Sequence, residues 1–121
     1  MDRQELEQRT KEFALRVIRF VAGLPRHRAA DVVGNQLVKA GTSVGANYRE
    51  ATRAESHADF IHKVALVEKE AAETCYWLEL CEGAAMGDPQ QRQWLLREAT
   101  ELLAIFTSAG RTAKSRQSAR K

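Results

Sequence analysis

A chain of 121 residues with 44% apolar and 29% charged side chains is one domain long and holds enough apolar material for a small core, which excludes a disordered polymer and a multidomain chain. No apolar run approaches the ~20 residues that cross a bilayer, and the opening Met-Asp-Arg-Gln-Glu has no apolar stretch behind a basic start, so a cytoplasmic protein is expected. The net charge of +3 is uneven: residues 1–106 carry 14 basic and all 16 acidic side chains, whereas residues 107–121 carry Arg111, Lys114, Arg116, Arg120 and Lys121 with no acid.

Proline occurs only at Pro25 and Pro89, β-branched residues form no period-two run, and four segments carry a helical period. The first spans about Arg3 to Gly23, with Leu6, Phe13, Val17, Phe20, Val21 and Leu24 on one stripe; Gly23 and Pro25 end it. The second spans about Arg28 to Ala54, with Val33, Leu37, Gly41, Val44, Tyr48 and Ala51 inward. The third starts at Ser56, where Ser56 and Asp59 form a capping pair, and its inner face is Phe60, Val64, Val67, Ala71, Thr74 and Leu78, continuing to Cys81 and Ala85. Gly83 and Gly87 close it, and Asp88-Pro89 reads as an N-cap followed by a first-turn proline. The fourth spans about Pro89 to Ala109 and buries Leu95, Ala99, Leu102 and Phe106, with Leu96 and Leu103 beside them.

Short connections set neighbouring helices antiparallel, so the expected fold is all-α, an antiparallel up-down four-helix bundle over residues 1–110. Residues 111–121 are expected to be a flexible basic tail. Cys75 and Cys81, six apart on a helix, point in different directions and read as reduced thiols.

Side chains away from these stripes carry more information. The outer face of helix two holds Thr42, Ser43, Ala46 and Glu50, small residues where a solvated helix carries long charged ones. On helix three, Leu66, Trp77, Leu80 and Ala84 align off the core stripe, with Glu73 among them and Tyr76 near by. A bundle this small cannot cover two faces of one helix, so Thr42, Ser43, Ala46, Glu50, Leu66, Glu73, Trp77 and Leu80 are assigned to a subunit interface, the alternative being that Trp77 and Leu80 pack under a loop or the tail. Gly41 and Gly45 each cost the helix about 1 kcal/mol relative to alanine, which close approach of another helix would offset. Arg49 flanks the core face, and an interfacial pair with Glu50 or Glu73 would fix register more than it would stabilise.

The stretch Leu37 to Leu80, LVKAGTSVGANYREATRAESHADFIHKVALVEKEAAETCYWLEL, resembles the bacterial four-helix bundle proteins of the S23, or 23S rRNA intervening-sequence, protein family. The run Thr42-Ser43-Val44-Gly45-Ala46-Asn47-Tyr48-Arg49-Glu50-Ala51, Ser56 with Asp59-Phe60, and Glu70 to Leu80 carry the likeness. The resemblance implies an up-down bundle assembled as a ring-like homopentamer. Some relatives are encoded inside insertions in 23S rRNA genes, and the family is similar to the basic, pentameric accessory proteins of diversity-generating retroelements, which bind nucleic acid and a reverse transcriptase.

No residue constellation points to catalysis, cofactor binding or metal. Asp59 and His62 sit away from the core, His57 and His62 are five apart, and neither a Cys-x-x-Cys spacing nor a phosphate-cradling glycine loop occurs. The expected function is therefore a non-catalytic homo-oligomeric adaptor that engages RNA or DNA through the basic tail, with a protein partner; the alternative is a protein–protein scaffold without nucleic-acid contact. Five tail cations per copy would give salt-sensitive binding without base stacking, since no aromatic is interleaved.

Overall fold

The computed structural model describes residues 1–119, and Arg120 and Lys121 of the basic tail lie outside the described residues. Four helices account for most of the chain: α1 (Arg3–Ala22), α2 (Arg28–Thr52), α3 (His57–Gly83) and α4 (Pro89–Ala119). Connections of four or five residues leave each helix no choice but to run back along its predecessor. α1 packs on α2, α2 on α3 and α3 on α4, while α1 meets α4 along a shorter seam that closes the bundle.

Each helix begins at a side-chain cap. Asp2 accepts from the Glu5 amide at 2.8 Å, His27 Nδ1 from Ala30 at 3.2 Å, Ser56 from Asp59 at 3.0 Å and Asp88 from Gln91 at 2.9 Å. Ser56 and Asp88 cap as the sequence implies. The Asp59 carboxylate, however, reaches back to the Glu55 amide at 3.2 Å, one residue before the cap. That bond, followed by the one to Lys63, holds the Asp59 carboxyl below the ordinary aspartate range.

The core follows the expected stripes, with Phe13, Phe20, Leu37, Leu78, Leu95, Leu102 and Phe106 all buried. Val21, Val33 and Phe60 are only half-buried at the margins of the stripes, and Ala85 is exposed in a left-handed conformation after α3 has ended. Two polar residues missed by the apolar count are inside. Thr10 is buried and satisfies its hydroxyl on the Leu6 carbonyl at 2.9 Å. Arg92, 7% exposed, donates to the Glu82 carboxylate and to the carbonyls of Met86 and Gly87 at 2.8 and 3.1 Å, which ties the α3–α4 turn to the first turn of α4. Gly87 in that turn has φ +83, and a Cβ there would come within 2.5 Å of the Phe20 ring.

α4 does not stop at Ala109 but runs ten residues further, to Ala119. Gly110 and Ala113 are buried and extend the stripe of Leu102 and Phe106 at spacings of four and three. His57 Nε2 donates to the Ala113 carbonyl at 2.8 Å, so this extension is fastened to the first turn of α3. The cations Arg111, Lys114 and Arg116 therefore stand on a helix, not on an extended tail, and all three are exposed.

Candidate interaction surfaces

On α3, the side chains inside the bundle are Val64, Val67, Ala71, Thr74, Leu78 and Cys81. A second row on the same helix is left partly or fully uncovered. Leu66 and Leu80 are each 37% exposed, Tyr76 is exposed, and Trp77 is half-buried. Helical geometry sets Leu66, Glu73, Trp77 and Leu80 along one ridge, on the side away from α4. The Trp77 indole N–H points to the Glu73 carboxylate at 3.5 Å, and the Tyr76 ring meets the indole edge-on at 5.3 Å between centroids. Burial first, and then the like charge of Glu73, push the Glu70 carboxyl above the ordinary glutamate range; Lys69 and Lys39 of α2 partly oppose the shift. Val32, exposed near the start of α2, stands at the same end of the bundle as Leu80, because α2 and α3 are antiparallel.

The candidate residues of α2 do not form one continuous patch with this ridge. Thr42 and Ala46 line a groove of about 330 Å³ between α1 and α2, together with Thr10, Lys11, Ala14, Gly45 and Arg49. Ser43 is half-buried one step round the helix towards α3, and Glu50 is exposed on the crest between the two sides. The hydroxyls of Thr42 and Ser43 donate to the carbonyls of Val38 and Lys39 in their own helix, so neither waits for an outside partner.

The glycines of α2 do permit close approach, but of a helix in the same chain. A Cβ on Gly41 would lie 3.0 Å from both Cγ atoms of Val17, and one on Gly45 would lie 3.1 Å from the Thr10 hydroxyl. Their cost is offset by α1 packing within the bundle and does not bear on a subunit contact. Arg49 is exposed at the rim of the groove, and among the described residues it forms no ion pair with Glu50 or Glu73.

Arg111 and Lys114, one turn apart, line a small cleft of about 150 Å³ with Ile61, Ala65, Glu68 and Thr107, where the Thr107 hydroxyl donates to Glu68 at 2.7 Å. Arg116 falls on a different face of α4. A broader surface hollow lies between α1 and α4, lined by Gln4, Glu5, Gln8, Arg9, Glu12, Trp94 and Glu98; within it Arg9 makes two 2.7 Å bonds to Glu98, and at its edge Arg16 lies 4.0 Å over the Trp94 ring.

Among the described residues no three of His, Cys, Asp and Glu stand close enough to hold a metal ion, and Cys75 and Cys81 are both free thiols. Burial pushes both thiols up from the ordinary cysteine range, away from thiolate reactivity. No helix of the described residues is long and apolar enough to cross a membrane.

Comparison with known proteins agrees with this architecture. Residues 3–108 match the family described as 23S rRNA-intervening sequence protein. The chain is 34% identical to a protein of unknown function from the S23 ribosomal protein family of Bacteroides thetaiotaomicron, whose crystal structure superposes with a TM-score of 0.81 over 92% of this chain and 99% of that one. No curated protein matches the chain. A four-helix bundle with this run of α2 and α3 residues, matched over nearly its whole length, belongs to the 23S rRNA-intervening sequence protein family.

Proposed function

We propose that this chain is a non-catalytic building block of a homo-oligomer, and that the assembly engages RNA or DNA through the cationic last turns of α4. The observation that carries the oligomer is the α3 ridge. Leu66 and Leu80, each 37% exposed, share one flank of α3 with the half-buried Trp77 and the carboxylates of Glu70 and Glu73, a partly uncovered surface whose apolar members the four helices do not fully bury, and surfaces of this kind on small proteins mark association sites. The ring of five implied by the resemblance is the assembly we favour. The nucleic-acid reading is supported by Arg111, Lys114 and Arg116, exposed on α4 with no acid in residues 107–121. Repeated in each copy, they multiply a weak phosphate affinity.

Sedimentation velocity of the protein with and without a short single-stranded RNA tests both parts. An assembly several times the monomer mass, binding RNA at low salt and releasing it as salt rises, is the expected result. A monomer at all concentrations overturns the oligomer. Replacing Arg111, Lys114 and Arg116 together by Gln is a cleaner probe than deletion, because deletion would also remove the buried Ala113 and its bond to His57. Undiminished binding by that variant removes α4 from the interface.

A second reading, a scaffold for protein partners alone, is favoured by one detail: Arg111 and Lys114 border a cleft that also holds Glu68, which lowers the local positive field. An assembly that does not bind RNA even at low salt selects it.

A further inference from the structure

The seam between α1 and α4 does not close along its whole length. From the Arg16–Trp94 contact towards the start of α1 it opens into a hollow of about 630 Å³, with Glu5, Arg9 and Glu12 of α1 on one side and Trp94 and Glu98 of α4 on the other. Trp94 is half-buried, and Arg16, which lies 4.0 Å over its ring, is not part of the wall, so the hollow opens on indole surface that Arg16 leaves uncovered. The charges here are unequal: the carboxylates of Glu5, Glu12, Glu98 and Glu101 face the guanidinium groups of Arg9 and Arg16. Arg9 is held by Glu98 at 2.7 Å with Glu101 at 3.7 Å, and Arg16 is 3.2 Å from Glu12. Glu5 is exposed and has no ion-pair partner among the described residues. Of the other cations near by, Arg97 lines a separate hollow on the outer face of α4, and Arg19 stands two turns beyond Glu12, past Arg16.

We propose that this hollow docks a basic segment of a protein partner, one arginine lying against the Trp94 indole beside Glu12 and a second pairing with Glu5. Arginine suits the site because its planar guanidinium stacks on an aromatic ring while its edge bonds a carboxylate, a geometry that a lysine ammonium does not reproduce. Arg9 does not compete for these places, since Glu98 and Glu101 already hold it. Glu5 and Glu12 are two turns apart on one side of α1, about 10 Å along the axis. An extended peptide covers that distance in about three residues. The motif that fits is therefore a pair of arginines three residues apart in an extended chain. The same acidic excess turns phosphate away, so this face is distinct from the cationic turns of α4, and the inference stands apart from both the oligomer and the nucleic-acid readings.

The test uses the full chain at low salt and a labelled peptide whose arginines, three residues apart, are separated by glycine and serine. Binding is read by fluorescence anisotropy, and Trp77→Phe leaves Trp94 as the single tryptophan for selective excitation. Saturable binding with a shift in Trp94 emission is the expected result. Glu5→Gln with Glu12→Gln should weaken binding about tenfold, and the same peptide with lysine for arginine should bind about fivefold more weakly. Glu55→Gln with Glu79→Gln, which removes as much charge from exposed positions elsewhere, should leave binding unchanged. None of these substitutions reaches the core, and the helical circular dichroism of each variant is checked against the wild type. The proposal is overturned if no peptide binds, if Trp94 emission does not respond, if the lysine peptide binds as well, or if the two pairs of substitutions have equal effects. Single-stranded RNA that shifts Trp94 emission assigns the hollow to nucleic acid, and an emission that changes on dilution of the protein alone assigns it to a second copy; either result overturns it as well.

Discussion

On its α2 side, α1 lies against Gly34, Gly41 and Gly45, with Val21, Val17 and Thr10 set so close that an added methyl group would touch them at 3.0–3.1 Å. On its α4 side the same helix stands further off, and long side chains cross the gap: the Arg9 guanidinium clasps Glu98, and Arg16 lies on the Trp94 ring. One seam is made by removing side chains, the other by extending them. The first is intolerant of volume but indifferent to charge; the second depends on charge and has room to spare. Helix-to-helix contact in a bundle this small is thus set seam by seam, and the partner helix decides which residues are critical on α1.

Added volume in the glycine seam should have the largest effect. Gly41→Leu forces a branched side chain against the fully buried Val17 and is expected to lower stability by about 3 kcal/mol in urea unfolding. Gly41→Ala should cost much less, since a helix-propensity gain of about 1 kcal/mol offsets part of the crowding. A Gly41→Leu protein as stable as wild type would show that the seam is not tight. Next comes Arg9→Ala, which leaves Glu98, only 12% exposed, without its bidentate partner; about 2 kcal/mol is expected. A double-mutant cycle with Glu98→Ala should recover most of that loss as coupling, and additive effects would reduce the pair to an ordinary surface contact. Arg16→Gln removes the cation over Trp94 and should cost about 0.5–1 kcal/mol, with a shift in indole fluorescence.

Smallest of all is Asp59, on α3 and outside both seams. Its carboxyl titrates lower in the folded protein than in the unfolded chain, so its contribution is complete above the unfolded value and disappears as pH falls through the folded one. Asp59→Asn should therefore flatten the acid limb of the stability profile slightly, and leave stability near neutral pH reduced by that same small contribution. An unchanged acid limb would remove Asp59 from the linkage.

Much of the fold was legible because its punctuation is chemical: Pro25, Ser56, Asp88 and Pro89 mark helix boundaries by what they cannot or readily do with backbone amides. The end of α4 was not, since Gly110 and Ala113 carry too little apolar surface to register in a count of large side chains, although their spacing from Phe106 continues the stripe. Arg92 escaped for the opposite reason. A guanidinium three residues before Leu95 looks solvated until a turn places three oxygen acceptors round it. For the candidate surface, periodicity placed Leu66, Trp77 and Leu80 off the core stripe of α3, but it cannot say which helix lies next to which flank of α2. Only the folded chain separates Thr42 and Ala46 from Leu66 and Trp77 and gives Gly41 and Gly45 to α1.

The two tryptophans divide these territories between them. Trp94 sits under Arg16 where the first and last helices meet, and Trp77 sits half-buried on the outer flank of α3 beside Glu73 and Tyr76. Replacing either one leaves a single native tryptophan: excited selectively, Trp94 alone follows the loosening of the closing helices, and Trp77 alone follows the solvent exposure of the α3 flank. The two indoles are thus separate optical gauges, and if copies associate through the flank of α3 as proposed, dilution should change the emission of Trp77 without disturbing that of Trp94.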